Sequence, residues 1–589
     1  MCSIIGFIGN SRAAPVVVES LKKMEYRGYD SVGIATINSG KIMLKKGVGR
    51  VVEVNNQLNL MKMPGNIGVG HTRWATHGGV TESNAHPHDG CKKNIVVVHN
   101  GIIENFREIK KDLEQHGHIF KSQTDSEVIA HLIESNLVDG KGNIKKALTK
   151  TCTKLKGAFA FVVAFEDGSI AGARLDEPLI IGLTNDGYFI SSDVLGFLEY
   201  TDRAIFLENK DIVIIDKNGM NLFDFNGKKI SKQITQVAWE LGEIDKGDYA
   251  HHTIKEIHEQ KKSIEKAMLQ DNERVNIFCN TIRSAKNIFF TGSGSSYHAA
   301  LVAKNLLSRF GKIRSEVIMS SEFQYNLDNI DKDSVIIAIS QSGETADVLQ
   351  SIKIAKEKNA KILSIVNVHT SSLARLSDCY LGINCGPEIG VAATKSFTGQ
   401  LAIFYMIIDK ISDNATRFVD NMKFFQEIFE GIIQLEGEIE RIAEVIKDAK
   451  DIYILGKSLH YPIALEGSLK IKELAYIHAE GIAAGELKHG PLALIENNTA
   501  VIVLNPEDET FNDTLRSTNE IKSRGAYIIG ISNKEDIIFD RHIKIPTVNK
   551  SFYPIIEVIP IQLLSYYLAL KRETNPDYPR NLAKSVTVR

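Results

Sequence analysis

Three segments in the second half of the chain recur about 164 residues downstream, and this repeat limits the fold more tightly than any single residue does. Ser284–Phe290 leading to Gly292 matches Asp448–Ile454 leading to Gly456. Val335–Ser340 followed by Glu344-Thr345 matches Ala500–Asn505 followed by Glu509-Thr510, and Ala360–Asn367 (AKILSIVN) matches Ala526–Asn533 (AYIIGISN). Each matched segment is a short, unbroken apolar run, and the runs alternate with helical patterns. Unbroken runs suit strands buried on both faces, and strands alternating with helices suit a parallel sheet covered on both sides. The second half is therefore predicted to hold two copies of a doubly wound α/β domain, over residues 275–430 and 438–579.

Residues 2–240 read differently. Short β runs such as Ile4–Ile8, Asn94–Val98 and Ala158–Val163 are broken by Gly, Asn and Asp, with helices predicted around Val16–Met24 and Ser126–Glu134. That pattern suits an α+β domain with strands packed face to face. Residues 241–274, opening with Gly242, Asp245, Lys246 and Gly247, are predicted to be a linker, and 580–589 a C-terminal tail. With 589 residues the chain exceeds a single core, and its 43% hydrophobic and 24% charged content is that of an ordinary globular protein. A net charge of -2 leaves no basic footprint for nucleic acid or a membrane surface, so the expected partners are small molecules or other protein chains. Six cysteines without a paired ligand spacing suggest a reducing compartment and no metal. No apolar run reaches ~18 residues and no signal peptide is visible, so a cytoplasmic protein without a cofactor is expected.

The N-terminus reads Met1-Cys2-Ser3-Ile4-Ile5-Gly6. Removal of Met1 would place a thiol and an α-amino group of pKa ~7.7–8.0 on one residue, joining a nucleophile to its own base. The alternative is that Cys2 is a small residue entering a first strand. Downstream, Gly70–Gly78 (GHTRWATHG) is dense in polar and aromatic side chains, and Arg73 offers a planar fork suited to a carboxylate. His71, His77, His86, His88 and His99 lie close in sequence, which raises a metal site as one alternative and a solvated loop as another; their spacings match no standard ligand pattern.

Cys2, HTRWATHG at 71–78, NAHPH at 84–88, HNGIIEN at 99–105 and TDSEVI at 124–129 resemble the glutaminase domain of the N-terminal-nucleophile amidotransferases, a layered αββα fold. The resemblance implies that Cys2 attacks the side-chain amide of L-glutamine. It implies that Arg73 holds the α-carboxylate and Asp125 the α-ammonium, with Thr76 and His77 supporting the pocket and Trp74 gating an ammonia path. Asn100 and Gly101 would form the oxyanion hole, at ~3 kcal/mol per donor.

Ammonia is mostly protonated at neutral pH, so a domain that makes it is useful beside one that consumes it. In the first repeat, Ser340-Gln341-Ser342-Gly343-Glu344-Thr345 follows an apolar strand and opens a helical pattern. Hydroxyls and N–H groups at a helix N-terminus make an anion site; a plain helix cap is the alternative, though a cap needs one hydroxyl and this turn has three. Gly292–Tyr297 is a second such turn, and the matching turns of the second repeat have lost the hydroxyls, so the first copy alone is expected to bind phosphate. The second copy places Glu466, Lys470 and Glu473 on one helix face; an exposed ion pair is the plain alternative, but the apolar neighbours Ile463, Leu465, Leu469, Ile471 and Leu474 favour a partly buried helix, and His489 follows between helix-breaking residues.

SQSGETADVL at 340–349, EIGVAATKSFTGQL at 388–401, residues 464–494 and PRNLAKSVTV at 579–588 resemble the sugar-phosphate isomerase domains of the glutamine:fructose-6-phosphate aminotransferase family. The resemblance implies that Ser295, Ser296, Ser340, Gln341, Ser342 and Thr345, with Val391 and Ala583, hold a ketose phosphate. It implies that Lys584 forms a Schiff base, His489 opens the ring, Glu473 moves a proton between the first two carbons, and Glu466 and Lys470 assist. It further implies a homodimer. Ser293, Asp176–Leu179, Pro576 and Arg589 depart from the family pattern, leaving room for another keto-sugar phosphate as substrate. A third reading, an amidase joined to a non-catalytic sugar-phosphate sensor, has no use for Lys584 and Glu473.

Overall fold

The computed structural model describes residues 2–75, 77–139, 142–237, 245–412 and 416–587. The chain divides into two units, Met1–Gly242 with Ala583–Arg589, and Glu243–Leu582.

The first unit contains an eight-stranded and a seven-stranded sheet. In the first sheet, Ser3–Gly9 runs antiparallel between Gly187–Ser191 and Ile67–Arg73. In the second, Ile95–Ile103 pairs along its whole length with Gly157–Phe165. The facing surfaces share one apolar core containing Ile4, Val69, Val98, Val162 and Ile190, all fully buried. Outside the first sheet lies the helix Ala13–Met24, whose Val17 and Leu21 are buried. Outside the second lie Glu127–Asp139 and Ile144–Lys154, which bring Ile129, Ile133 and Leu148 onto Val97 and Phe161. The layers are therefore α, β, β, α, as the sequence predicts. Three helices go beyond the two expected: Val51–Leu58, Phe106–Gln115 and Ile144–Lys154. The second of these buries only Ile109 and Leu113, one turn apart, a stripe too thin to stand out in FREIKKDLEQ.

The second unit contains two five-stranded parallel sheets. Numbered along the chain, the strands of each lie in the order 2-1-3-4-5. The first sheet uses Asn287–Gly292, Glu316–Met319, Ser334–Ser340, Lys361–Val366 and Cys379–Gly382; the second uses Asp451–Gly456, His478–Ala483, Ala500–Leu504, Tyr527–Ser532 and Arg541–Lys544. The repeat in the sequence is thus a repeat in topology. In such sheets ligands bind where the strand order reverses, outside the carboxyl ends of the first and third strands. Those ends are Gly292 and Ser340 in one copy, and Gly456 and Leu504 in the other.

The predicted linker is structured from His252 onward; Leu241–Ile244 lie outside the described residues. Helices His252–His258 and Gln260–Met268 bury Ile254, Ile257 and Ile264 in the core of the second unit. Charged neighbours hide that apolar stripe in the sequence. The last residues, predicted as a separate tail, group with the first unit from Ala583. Among the described residues one segment, Lys550–Lys571, is long and apolar enough to cross a membrane; its 18-residue apolar window has mean hydropathy 1.4, yet 89% of that window is buried within the unit. Glu557 and Gln562 interrupt its apolar run and are themselves buried.

Glu557 explains what fills the second copy's crevice. His460 is fully buried, with Nδ1 2.8 Å from Glu557 Oε2 and Nε2 3.0 Å from Asp508 Oδ2. Burial alone would lower its pKa, but the two carboxylates outweigh burial and raise it to about 10. A crevice holding two carboxylates disfavours a phosphate guest. His460→Ala leaves those carboxylates buried without their cation, which costs about 3–5 kcal/mol. Because the folded pKa lies above the unfolded value of ~6.5, this stabilisation is complete below pH ~6.5 and fades as pH rises through about 10. Thermal unfolding should show a much lower Tm for the variant at pH 6, with the gap closing towards pH 10; equal Tm values at pH 6 would contradict this.

Candidate active sites

Cys2 immediately precedes the strand Ser3–Gly9, and the pairing of Ser3 with Thr72 sets Arg73 and Trp74 beside it. The Trp74 N–H donates to Cys2 Sγ at 3.2 Å. The strand Ile95–Ile103 of the opposing sheet supplies Asn100 and Gly101. Asn100 Nδ2 donates to the Cys2 carbonyl at 3.0 Å, and its Oδ1 lies 3.1 Å from His71 Nε2. Gly101 has φ +107, and a Cβ there would come within 2.1 Å of the Ala158 carbonyl, so only glycine fits.

One pocket is lined by Cys2, Arg73, Trp74, His77, Asn100, Gly101 and Asp125, together with Thr124, Ser126, Glu177 and Thr587. Every described residue of the predicted glutamine site is therefore in one place; Thr76 lies outside the described residues. The Arg73 guanidinium is pinned by the carbonyls of His77, Gly78 and Gly79, and Asp125 Oδ2 accepts from the Ile103 N–H at 2.7 Å. Trp74 sets its ring edge against Tyr29 at 5.9 Å between centroids.

The neighbouring histidines form a buried scaffold. His71 stacks on His86 at 4.1 Å, His86 Nδ1 accepts from the His99 N–H at 3.2 Å, His99 Nδ1 lies 2.8 Å from Ser126 Oγ, and His88 Nε2 lies 3.2 Å from Thr124 Oγ1. Burial pulls His71 down to about 3 and His99 to about 4, so both are neutral at pH 7. A neutral His71 with its proton on Nε2 donates to Asn100 Oδ1 and the His99 carbonyl at 3.0 Å, turning the NH2 of Asn100 towards Cys2.

Glu177 and Thr587 are site residues that the sequence did not suggest for the glutamine pocket. Thr587 Oγ1 donates to Glu177 Oε2 at 2.8 Å across 410 residues of chain, and no local pattern signals such a pairing. Burial, foremost, raises the Cys2 thiol above its usual range; the Trp74 N–H and Arg73 oppose this, and the Glu177 carboxylate adds to the rise. Glu177→Gln removes that negative charge and should move the midpoint of Cys2 alkylation by iodoacetamide to lower pH. An unmoved or higher midpoint would contradict this.

In the second unit, the helix Tyr461–Ala475 carries Glu466, Lys470 and Glu473 on one face, and Glu466 and Lys470 are buried. Lys470 Nζ donates to Glu473 Oε2 at 2.6 Å and lies 3.5 Å from Glu466 Oε1. Glu466 also accepts from Ser295 Oγ at 2.8 Å and faces His298 Nδ1 at 2.8 Å. Burial works against both charges, but Lys470 and His298 hold Glu466 below the usual carboxylate range, and the two glutamates raise Lys470. Lys470 Nζ reaches Ser295 Oγ at 3.2 Å, which joins this helix to the start of Ser295–Arg309 in the first copy. Ser296 Oγ accepts from Gln400 Nε2 at 3.2 Å.

Residues 340–345 form a turn at the carboxyl end of the third strand. Ser340 Oγ accepts from the Gly343 N–H at 3.0 Å and lies 3.0 Å from Thr345 Oγ1, while Ser342 Oγ accepts from the Glu344 N–H at 3.2 Å. Thr345 occupies the N-cap position of the helix Ala346–Glu357 without a side-chain capping bond, and Gln341 is half-buried nearby in sequence. The turn and Ser295 thus flank the point where the strand order reverses, as an anion site requires. Val391 is buried and its N–H donates to the Asp577 carbonyl at 3.3 Å. His489 is exposed on the turn Glu486–His489. Ala583 and Lys584 belong to the segment that groups with the first unit.

A profile of the SIS domain matches residues 281–410 and 445–572, and one of a glutamine amidotransferase domain matches 71–199. The chain is 45% identical to the glutamine–fructose-6-phosphate aminotransferase (isomerizing) of Pyrococcus horikoshii, 42% to that of Thermococcus kodakarensis and 40% to that of Thermotoga maritima, with 100% of both chains covered each time. Among solved structures, the C-terminal domain of glucosamine-fructose-6-phosphate aminotransferase from Francisella tularensis is 34% identical with a TM-score of 0.52, covering 56% of this chain and 99% of that one. The chain belongs to the glutamine–fructose-6-phosphate aminotransferase (isomerizing) family.

Proposed function

We infer that this chain moves the amide nitrogen of glutamine onto C2 of fructose 6-phosphate, yielding glutamate and glucosamine 6-phosphate. The observation that carries the reading is the pairing, in one chain, of a Cys2 pocket containing Arg73, Asn100, Gly101 and Asp125 with a cluster of buried Glu466 and Lys470 and half-buried Glu473 linked to Ser295. Cys2 Sγ attacks the amide carbon, and the developing oxyanion lies towards Asn100 and Gly101. Ammonia leaves, water releases glutamate, and the thiol is restored. In the second unit, Ser340, Gln341, Ser342 and Thr345 hold the phosphate. His489 assists ring opening, and Lys584 forms the Schiff base on the keto carbon, roles supported by the family resemblance. Ammonia displaces the lysine at C2, and Glu473 carries a proton from C1 to C2, turning the ketose imine into the amino aldose. The water consumed in releasing glutamate equals the water lost in imine formation, so the reaction is balanced without a cofactor.

A sensor would need phosphate ligands alone, whereas a buried lysine between two carboxylates is suited to moving protons. A reducing compartment is proposed, supported by six free cysteines, and a second copy of the chain is the proposed partner, supported by the resemblance. A panel of ketose phosphates tests the substrate: fructose 6-phosphate should give the highest kcat/KM for amino-sugar formation. A higher value with tagatose 6-phosphate or sedoheptulose 7-phosphate would reassign it.

A further inference from the structure

Away from both sites, four residues of the first unit bring metal-binding atoms together. Cys91 lies between the strands His88–Asp89 and Ile95–Ile103, His118 follows the helix Phe106–Gln115, and His131 and Glu134 are one turn apart on Glu127–Asp139. One donor atom from each lies within 4.8 Å of all the others. Cys91 Sγ is 3.5 Å from His131 Nδ1 and 3.8 Å from His118 Nδ1. His118 Nδ1 is 3.2 Å from His131 Nδ1 and 3.4 Å from Glu134 Oε2. A tetrahedral zinc with bonds of ~2.0–2.1 Å to nitrogen and ~2.3 Å to sulfur sets its ligand atoms ~3.3–3.6 Å apart. These four edges bracket that range, and the two that join Glu134 to Cys91 and His131 lie within 4.8 Å, so an ion is held once the Glu134 carboxylate closes on it.

Hydrogen bonding alone satisfies this cluster poorly. Two imidazole nitrogens facing each other can share only one proton, and a thiol is a weak donor. The surroundings resemble the outer shell of a metal centre. Glu127 Oε1 is 3.5 Å from His131 Nε2, on the far side of the ring. The N–H groups of Cys91 and Lys92 donate to the Glu134 carboxylate at 3.0 and 2.7 Å, so the loop that carries one ligand positions another. A thiolate and a carboxylate balance the charge of a divalent ion. His131 and Glu134 are buried while Cys91 is exposed, which gives an ion a way in.

We propose that Cys91, His118, His131 and Glu134 form a structural zinc site. Zinc would tie the three segments together, adding to the apolar packing of Ile109, Leu113, Ile129 and Ile133 that already joins the helices Phe106–Gln115 and Glu127–Asp139. Its outer-shell residue Glu127 accepts from the N–H groups of Lys121 and Ser122 at 2.8 and 2.7 Å. That loop continues into Thr124 and Asp125 of the glutamine pocket, so the site would steady the pocket without taking part in the chemistry.

The test uses the full chain carrying Cys2→Ala, which removes a competing thiol, prepared metal-free under reducing conditions. Titration with Co2+ should give a thiolate charge-transfer band and tetrahedral visible bands saturating at one ion per chain, displaced by Zn2+, and Zn2+ should raise Tm. Adding Cys91→Ser at an exposed position and His118→Ala at a partly buried one should abolish the bands, while Glu127→Gln should weaken binding by about 10–100-fold. Absence of tetrahedral bands, or bands and stoichiometry unchanged in the Cys91→Ser, His118→Ala chain, overturns the proposal.

Discussion

Cys2→Ala should lower glutamine hydrolysis by roughly 10^4–10^6-fold, the loss expected when a covalent nucleophile is removed, while leaving fructose 6-phosphate binding intact. Nothing else described in the pocket can replace it. Arg73 is committed to three carbonyls, and His71 and His99 are neutral and held in hydrogen bonds to the scaffold. The second unit has its own core and its own hydrogen-bonded site, so calorimetric titration with fructose 6-phosphate should give the same affinity in the variant. Residual hydrolysis within about tenfold of the parent would mean that Cys2 is not the nucleophile.

Glu473→Gln should reduce amino-sugar formation by about 10^2–10^4-fold, the usual contribution of a placed general base, with glutamine hydrolysis by the first unit retained. This substitution is a cleaner probe than Lys470→Ala. Lys470 is buried against Glu466 and Glu473, so its removal leaves carboxylates uncompensated at a cost of about 3–5 kcal/mol, and lost activity could then reflect lost structure. Glu473 keeps a 20% exposed side chain, and its amide analogue preserves the shape and can still hydrogen-bond Lys470 Nζ. Glutamate release assayed beside glucosamine 6-phosphate should show hydrolysis without transfer. Unchanged transfer would remove Glu473 from the mechanism.

What could be read from the sequence depended on how local each signal was. The paired sheets were legible because an unbroken apolar strand such as Val335–Ser340 and its partner Ala500–Asn505 keep their pattern after their turns have diverged. Glu466, Lys470 and Glu473 were legible because a helix fixes which side chains share a face. Spacing alone leaves an exposed ion pair open, but the apolar neighbours Ile463, Leu465, Leu469, Ile471 and Leu474 pointed to burial, and the packed helix excludes Glu466 and Lys470 from water. Contacts made by distant segments were silent. Ser295 looked like a phosphate ligand by its turn, yet its hydroxyl bonds to Glu466 and Lys470 from the other copy. Of the five histidines that suggested a metal, His71, His86, His88 and His99 form a neutral scaffold around Asn100 and Ser126, and His77 lines the glutamine pocket. Cys91, His118, His131 and Glu134, which do converge, come from three segments whose spacing matches no ligand motif.

The central claim is that nitrogen freed at Cys2 ends on the sugar bound by the second unit. Incubation of the processed chain with glutamine labelled by 15N at the amide and with fructose 6-phosphate tests it directly. The account predicts glucosamine 6-phosphate carrying the label, formed one-to-one with glutamate. Glutamate accumulating without 15N in any sugar product would contradict it.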